Sequence, residues 1–363
     1  MLYRLEKWDI GTIEALQNVA RKWGLPRSGL SFGGLKDRHA RTSQAISIRG
    51  GPEKDFQGSA FRLTYLGRSR DPITRASFSA NRFEIVVRDL SQIPDVEPVR
   101  RWGIPNYFDD QRFGSLRGTG GEFIGRALVR GDAEKALQLA IASPAPEDHR
   151  QPREVKTLLR DRWGDWKGLV SALPRGPERS IATYLADHPG AFGFAFELMD
   201  PNLRILYVSA YQSHLWNRTL VEMLRGLPDT YEVPYDAGKH LFYRTLAPDV
   251  HDRLCELAIP LAAPGRPFEG AAGEAVLRIL AEEGVELRQF RLKRLRRTFF
   301  GKGMRPALVA PAGLSAEAGE DEINRGRRKL ALRFELPKGS YATILLKRLF
   351  HEPLPRGDED GEA

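Results

Sequence analysis

Residues Gly34 to Gln44, G-L-K-D-R-H-A-R-T-S-Q, set one carboxylate, Asp37, between the cations Lys36 and Arg38. Nearby positive charge favours the ionised form of an acid, and an ionised carboxylate suits a nucleophile or base better than a general acid. The flanking cations can also hold RNA phosphate, so a single loop can place a polyanionic substrate and attack it. The competing interpretation is a solvated charged turn, the usual state of a short charge run.

Two further stretches carry recognition chemistry. Asn106-Tyr107-Phe108-Asp109-Asp110-Gln111-Arg112-Phe113-Gly114 interleaves aromatics with amides and an arginine. Such a surface can stack a base and read its edges; equally, Tyr107, Phe108 and Phe113 can be core residues. Gln289–Arg305 carries Arg291, Lys293, Arg294, Arg296, Arg297, Lys302 and Arg305 with no acid, and Phe290, Phe299 and Phe300 lie among them. That clustering is an electrostatic footprint for nucleic acid. A smaller cluster, Asn324 to Lys329, adds Arg327 and Arg328 as phosphate contacts. The seven histidines (39, 149, 188, 214, 240, 251 and 351) have no metal-ligand spacing, and no phosphate-binding or dinucleotide glycine motif is present. No metal and no cofactor are expected.

Composition frames these sites. With 363 residues, 41% apolar and 28% charged, the chain is long enough for two folded domains. No apolar run reaches the ~20 residues of a membrane span, and the first residues lack the apolar region of a signal peptide. The single cysteine, Cys255, excludes an internal disulfide framework and a cysteine-clustered zinc site, which fits a reducing cytoplasm. The net charge is +9, and the four acids and one arginine of residues 356–363 conceal a still more basic body. A polyanionic partner follows, because released counterions drive binding to nucleic acid.

The elements that must position these residues can be read from periodicity. A strand (Leu2, Tyr3, Leu5) precedes a helix expected to be capped by Thr12, with Ile13, Leu16, Val19, Ala20 and Trp23 as its apolar stripe. Strands are expected at 45–48, 62–66 and 82–88, a helix near 92–102, a loop over 103–121, and a helix over 122–142. Residues 144–153 are proline-rich and polar, as a surface connection is. Helices dominate from there to about 225, including 203–224. Leu330, Leu332, Phe334 and Leu336 alternate as a strand, which turns into a closing helix, Tyr341–Phe350.

With these residues in view the chain resembles the tRNA pseudouridine synthase D (TruD) family. The resemblance lies in F-G-G-L-K-D-R-H-A-R-T-S-Q (Phe32–Gln44), P-N-Y-F-D-D-Q-R-F-G (Pro105–Gly114) and L-P-K-G-S-Y-A-T (Leu336–Thr343), with N-R-F (Asn81–Phe83) and S-A-Y-Q-S-H-L-W-N (Ser209–Asn217) in support. It implies an α+β fold: a pseudouridine synthase catalytic domain with a mixed, mainly antiparallel sheet and flanking helices. The catalytic domain would comprise residues 1–144 and 306–355, interrupted by a mostly helical inserted domain at 145–305, with 356–363 a disordered acidic tail. It further implies isomerisation of uridine to pseudouridine in tRNA, at uridine 13, by a cytoplasmic monomer. Asp37 would act at the ribose, as glycosidase carboxylates act on their sugars. Lys36 and Arg38 would bind substrate, Asn106 and Phe108 would line the uracil pocket, and Tyr341 would stack on the base. Two departures from the family pattern stand out. Relatives carry a strand with an acidic, aromatic-containing motif upstream of the position of Met1, so the chain is expected to open at the second strand. Asp109 also replaces a glycine, a substitution that aspartate tolerates comparatively well if a positive φ is required. Two rival functions remain open at this point: a non-catalytic RNA-binding or chaperone protein on the same fold, and a metal-dependent nuclease using Asp37, Asp109 and Asp110.

Overall fold

Strand β1 (Leu2–Lys7) alternates in burial, with Tyr3, Leu5 and Lys7 facing inward and Arg4 outward, the period-two pattern of a half-buried strand. In the computed structural model, which describes residues 1–351 apart from 266–267, 293–294 and 296–297, the chain divides into two units, Met1–Asn81 and Arg82 onward. The expected acidic tail at 356–363 lies outside the described residues.

In the first unit β1 is the central strand of a five-stranded antiparallel sheet. β2 (Leu30–Phe32), β3 (Thr42–Ile48), β4 (Phe56–Gln57) and β5 (Phe61–Gly67) complete it in the order β2-β3-β1-β5-β4. Helix α1 (Thr12–Trp23) joins the same core, burying Ala15, Leu16 and Val19 with Tyr3, Leu5, Ile46, Ile48, Phe61 and Leu63. Each large apolar side chain buried there contributes about 1.5–3 kcal/mol. Two expectations need correction. Ile13 is 49% exposed, so the buried stripe centres on Ala15 instead. Gly11, not Thr12, holds the N-cap position; Thr12 is the first helical residue, and its hydroxyl accepts the Lys36 N–H (3.1 Å).

The chain leaves the first unit within β6 (Ala80–Leu90). The second unit begins with α2 (Glu97–Trp102) and β7 (Ile104–Pro105), then α3 (Ile124–Val129) and α4 (Ala133–Ile141). Helices α5 (Arg150–Asp161), α6 (Trp166–Ala172), α7 (Pro177–Asp187), α8 (Phe192–Glu197) and the long α9 (Pro201–Leu224) follow. Next come the hairpin β8 (Thr230–Tyr235) and β9 (Gly238–Tyr243), then α10 (Pro248–Glu256), β10 (Ala258–Pro260) and α11 (Gly270–Glu282). Strands β11 (Met304–Pro306), β12 (Leu308–Val309), β13 (Ala312–Glu320) and β14 (Arg328–Pro337) lead into α12 (Ala342–Phe350).

The helix expected over 122–142 is two helices. Gly131 takes φ +81° between them, and the Asp132 carboxylate caps α4 by accepting the Lys135 N–H (2.9 Å). The 103–121 loop contains β7 and two short 3-10 turns. The closing helix starts one residue later than expected, with Tyr341 as its N-cap. Strands β13, β14 and β6 form one sheet in that order. β7 pairs antiparallel with β12, Pro105 opposite Leu308 and Ile104 opposite Val309. That pairing ties together the two flanks of the stretch 145–305, on which the sequence-based insertion was drawn. Among the described residues no helix is long and apolar enough to cross a membrane.

Candidate active site

The loop that carries Asp37 lies within the first unit and is held mainly through its backbone. Gly33 is buried against Phe78, where an added Cβ would meet the ring at 2.8 Å, so no larger residue fits without displacing it. Three residues on, the Lys36 N–H is fixed by Thr12 of α1. The Lys7 ammonium, from the end of β1, donates to the Asp37 carbonyl oxygen (2.5 Å). Asp37 itself is exposed. Its flanking cations are engaged locally. Lys36 Nζ donates to Asn81 Oδ1 and stands 5.4 Å over the Phe78 ring, while Arg38 pairs with Glu14 at 2.6 Å. His39 contacts Asp9 at 2.9 Å, both exposed. Burial lowers the pKa of Lys36 and of Lys7, and the Asp37 carboxylate opposes that lowering for both.

Lys7 was missed by sequence reasoning, although its signal is present. It continues the inward positions of Tyr3 and Leu5, where a solvated lysine would break the alternation.

Within the second unit the P-N-Y-F loop is built into the core. Asn106, Tyr107, Phe108, Asp109 and Phe113 are all buried. Phe108 is held through its backbone by the side-chain amide of Asn217 on α9, which accepts the Phe108 N–H (2.9 Å) and donates to its carbonyl (2.8 Å). Its ring lies edge-on to Trp216 (5.6 Å) and Tyr341 (6.2 Å). Arg305 stands 4.1 Å over the ring and Arg112 5.5 Å from it. The Arg305 guanidinium also donates to the Asn106 carbonyl (2.8 Å), to Asn106 Oδ1 (2.7 Å) and to the Gly339 carbonyl (2.8 Å). Burial, with the Arg112 charge in support, brings its pKa down to about 10. Arg112 Nε donates to the Tyr341 hydroxyl (3.3 Å). Asn106, Phe108 and Tyr341 thus stand together, joined by Arg305 and Arg112.

Asp109 needs no left-handed backbone; it is extended, with φ −112° and ψ 178°. The positive φ that aspartate would have had to tolerate is not required at this position in this chain. Lys347 of α12 binds Asp109 (2.6 Å) and Asp110 (2.7 Å). Burial pushes the Asp109 carboxyl up, but hydrogen bonds from Lys347 and Thr343 outweigh it and hold the pKa below its ordinary value. Behind the loop, His240 is stacked between Tyr235 (3.9 Å) and Tyr107 (4.3 Å) and meets Asn217 Nδ2 at 3.3 Å. Burial drives its pKa down to about 3, so the ring is neutral and its Nε2 accepts from the amide.

The basic stretches divide. Arg291 and Lys302 are exposed, whereas Lys293, Arg294, Arg296 and Arg297 lie outside the described residues. Arg328 is exposed, and Arg327 is paired with Asp89 at 2.7 Å. Among the described residues no group of three or more His, Cys, Asp and Glu side chains is placed to hold a metal ion. Asp109 and Asp110 are occupied by Lys347.

Comparison with known proteins places the chain. A family model described as tRNA pseudouridine synthase D (TruD) matches residues 1–349. A probable tRNA pseudouridine synthase D 1 of Methanococcus maripaludis is 31% identical, the alignment covering 96% of this chain and 92% of that one. The tRNA pseudouridine synthase D of Aquifex aeolicus is 30% identical over 96% of this chain and 91% of its own. Among solved structures, a crystal structure assigned to TruD from Methanosarcina mazei superposes with a TM-score of 0.69 at 29% identity, covering 96% of this chain and 87% of the other. The family match over nearly the whole chain and relatives 30% and 31% identical over 96% of it agree: the chain belongs to the tRNA pseudouridine synthase D family and is a pseudouridine synthase, an isomerase.

Proposed function

We propose that this pseudouridine synthase isomerises uridine 13 of tRNA, with Asp37 as its nucleophile. The observation that carries the proposal is the presentation of Asp37. Its peptide is pinned by Lys7 on one side and by Thr12, through Lys36, on the other, while the residue itself is exposed. A nucleophile needs that combination of fixed backbone and reachable oxygen.

In the reaction the C1′–N1 bond breaks, uracil turns while bound, and C5 bonds to C1′. The C5 proton is lost and N1 gains one, so nothing is consumed. Asp37 acts on the ribose, where loss of the base leaves an oxocarbenium-like centre that a carboxylate stabilises. A uridine in a stacked stem is first flipped out. Tyr341 then stacks on the uracil ring, and Phe108 and Asn106 line its pocket, with the Asn106 side chain oriented by Arg305. Lys36 and Arg38 bind substrate, and Arg291, Lys302, Arg327 and Arg328 contact the RNA backbone, together with Lys293, Arg294, Arg296 and Arg297. Residues 145–305 form the inserted domain of a cytoplasmic monomer.

The test is tritium release from tRNA carrying [5-³H]uridine, followed by mapping of the modified position. Release with a single new pseudouridine at position 13 is expected. Release mapped elsewhere would refute the site, and no release from any tRNA would refute the activity.

A further inference from the structure

A buried lysine in a small domain needs a reason. Lys7 is fully buried, in the inward row of β1 after Tyr3 and Leu5. Burying an ammonium is costly unless it is paired, and apolar replacement of buried charges is often neutral or stabilising. The hydrogen-bond acceptor of Lys7 is a neutral one, the carbonyl oxygen of Asp37 (2.5 Å). A structural strand position would be better served by leucine or methionine. Lys7 also lies opposite Thr42 of β3 and Phe61 of β5, at the end of the central strand, so its stem is paired on both sides where the ammonium leaves the sheet.

From this placement we infer that Lys7 is a positioning residue for the isomerisation, holding the Asp37 peptide from beneath and placing a fixed positive charge under the carboxylate. The inference rests on the reading of Asp37 as nucleophile. Two effects follow from one contact. The hydrogen bond fixes the peptide of the residue that must reach C1′, and displacements of about 1 Å in such a group cost about a hundredfold in rate. The charge is preorganised in a site that excludes water from its own side, where it acts more strongly than a solvated cation. Electrostatic coupling between the two side chains is consistent with this, since the Asp37 carboxylate favours the charged form of Lys7 against burial. Arg38, the cation adjacent in sequence, is instead paired with Glu14 on the solvent side.

The experiment compares wild type, Lys7→Met, Lys7→Arg and Asp37→Asn on a full-length tRNA transcript, reading kcat, KM and thermal midpoint. Lys7→Met is expected to keep KM within about twofold and the midpoint at or above that of wild type, with kcat down about a hundredfold. Lys7→Arg keeps charge and donor and is expected to regain about tenfold of that loss. A role in folding alone would lower the midpoint together with activity and leave kcat per folded molecule unchanged. Wild-type kcat in Lys7→Met, with Asp37→Asn inactive, overturns the inference and spares Asp37. Full activity in Asp37→Asn removes the reading on which it rests. Should Lys7→Met fail to fold, Lys7→Arg decides: lowered kcat at unchanged KM supports positioning, and wild-type kcat assigns Lys7 to folding only.

Discussion

The two motif loops are built on opposite plans. The Asp37 loop is tied down by main-chain contacts, from Thr12, Lys7 and the close fit of Gly33 on Phe78, and Asp37, Arg38 and His39 stand at the surface. The P-N-Y-F loop is buried in side chain and backbone alike. It is held by Asn217, Arg305 and Lys347 and backed by a neutral histidine. The contrast separates chemistry from stability. Changes at Asp37 should abolish turnover and leave folding almost untouched, whereas changes around Phe108 should unfold the second unit.

Acid probes the difference most strongly. Burial lowers His214 to about 4 and His240 to about 3, both in the second unit. Folded values below the ordinary 6.5 mean that the unfolded chain binds protons first. Their stabilisation is therefore complete above about pH 6.5 and is lost as pH falls from there towards the folded values. At pH 5 each histidine should have given up roughly 2 kcal/mol. Urea midpoints of the second unit, followed through its buried tryptophans, should fall between pH 7 and 5. The dependence should weaken in His214→Gln. A flat profile would show that these rings are not buried neutral.

Next in size is Lys347→Met, which leaves the buried Asp109 carboxylate without its cation and should cost about 3 kcal/mol. Adding Asp109→Asn should recover part of that loss, and the unfolding midpoints of single and double variants check the coupling. Asn217→Leu strands the Phe108 N–H and carbonyl in the core and should cost about 2 kcal/mol. It should also depress activity in the fraction still folded. Smallest is Glu14→Gln at the surface. It breaks the half-exposed pair with Arg38 and should change stability by less than about 0.5 kcal/mol. If Glu14→Gln matched Lys347→Met in effect, the two loops would not differ as described.

Much of this was legible before any coordinates. The alternation of Leu330, Leu332, Phe334 and Leu336 gives its strand directly, because burial repeats at the backbone period, and the helix expected at 203–224 is the body of α9. The P-N-Y-F, K-D-R and G-S-Y stretches carry the resemblance to the family by residue type. What sequence could not supply was partnership across long separations. Nothing near residue 109 signals that Lys347 neutralises it, and nothing near residue 305 signals that its guanidinium covers Phe108. Arg305 looked like one more surface cation in a basic run, yet it is the residue that joins Asn106, Phe108 and Gly339. Thr12 was misplaced by one residue for a related reason: its hydroxyl serves a distant loop amide instead of its own helix. Gly131 was overlooked as the break between α3 and α4 because the apolar period continues through it.

Asp37→Asn tests the central claim most directly. Its turnover on a tRNA transcript should be measured beside its affinity for the same RNA and its thermal midpoint. Loss of pseudouridine formation by about ten-thousand-fold or more, with RNA affinity and thermal midpoint close to wild type, is the predicted result. Turnover near the wild-type rate in Asp37→Asn would contradict the assignment of Asp37 as the nucleophile.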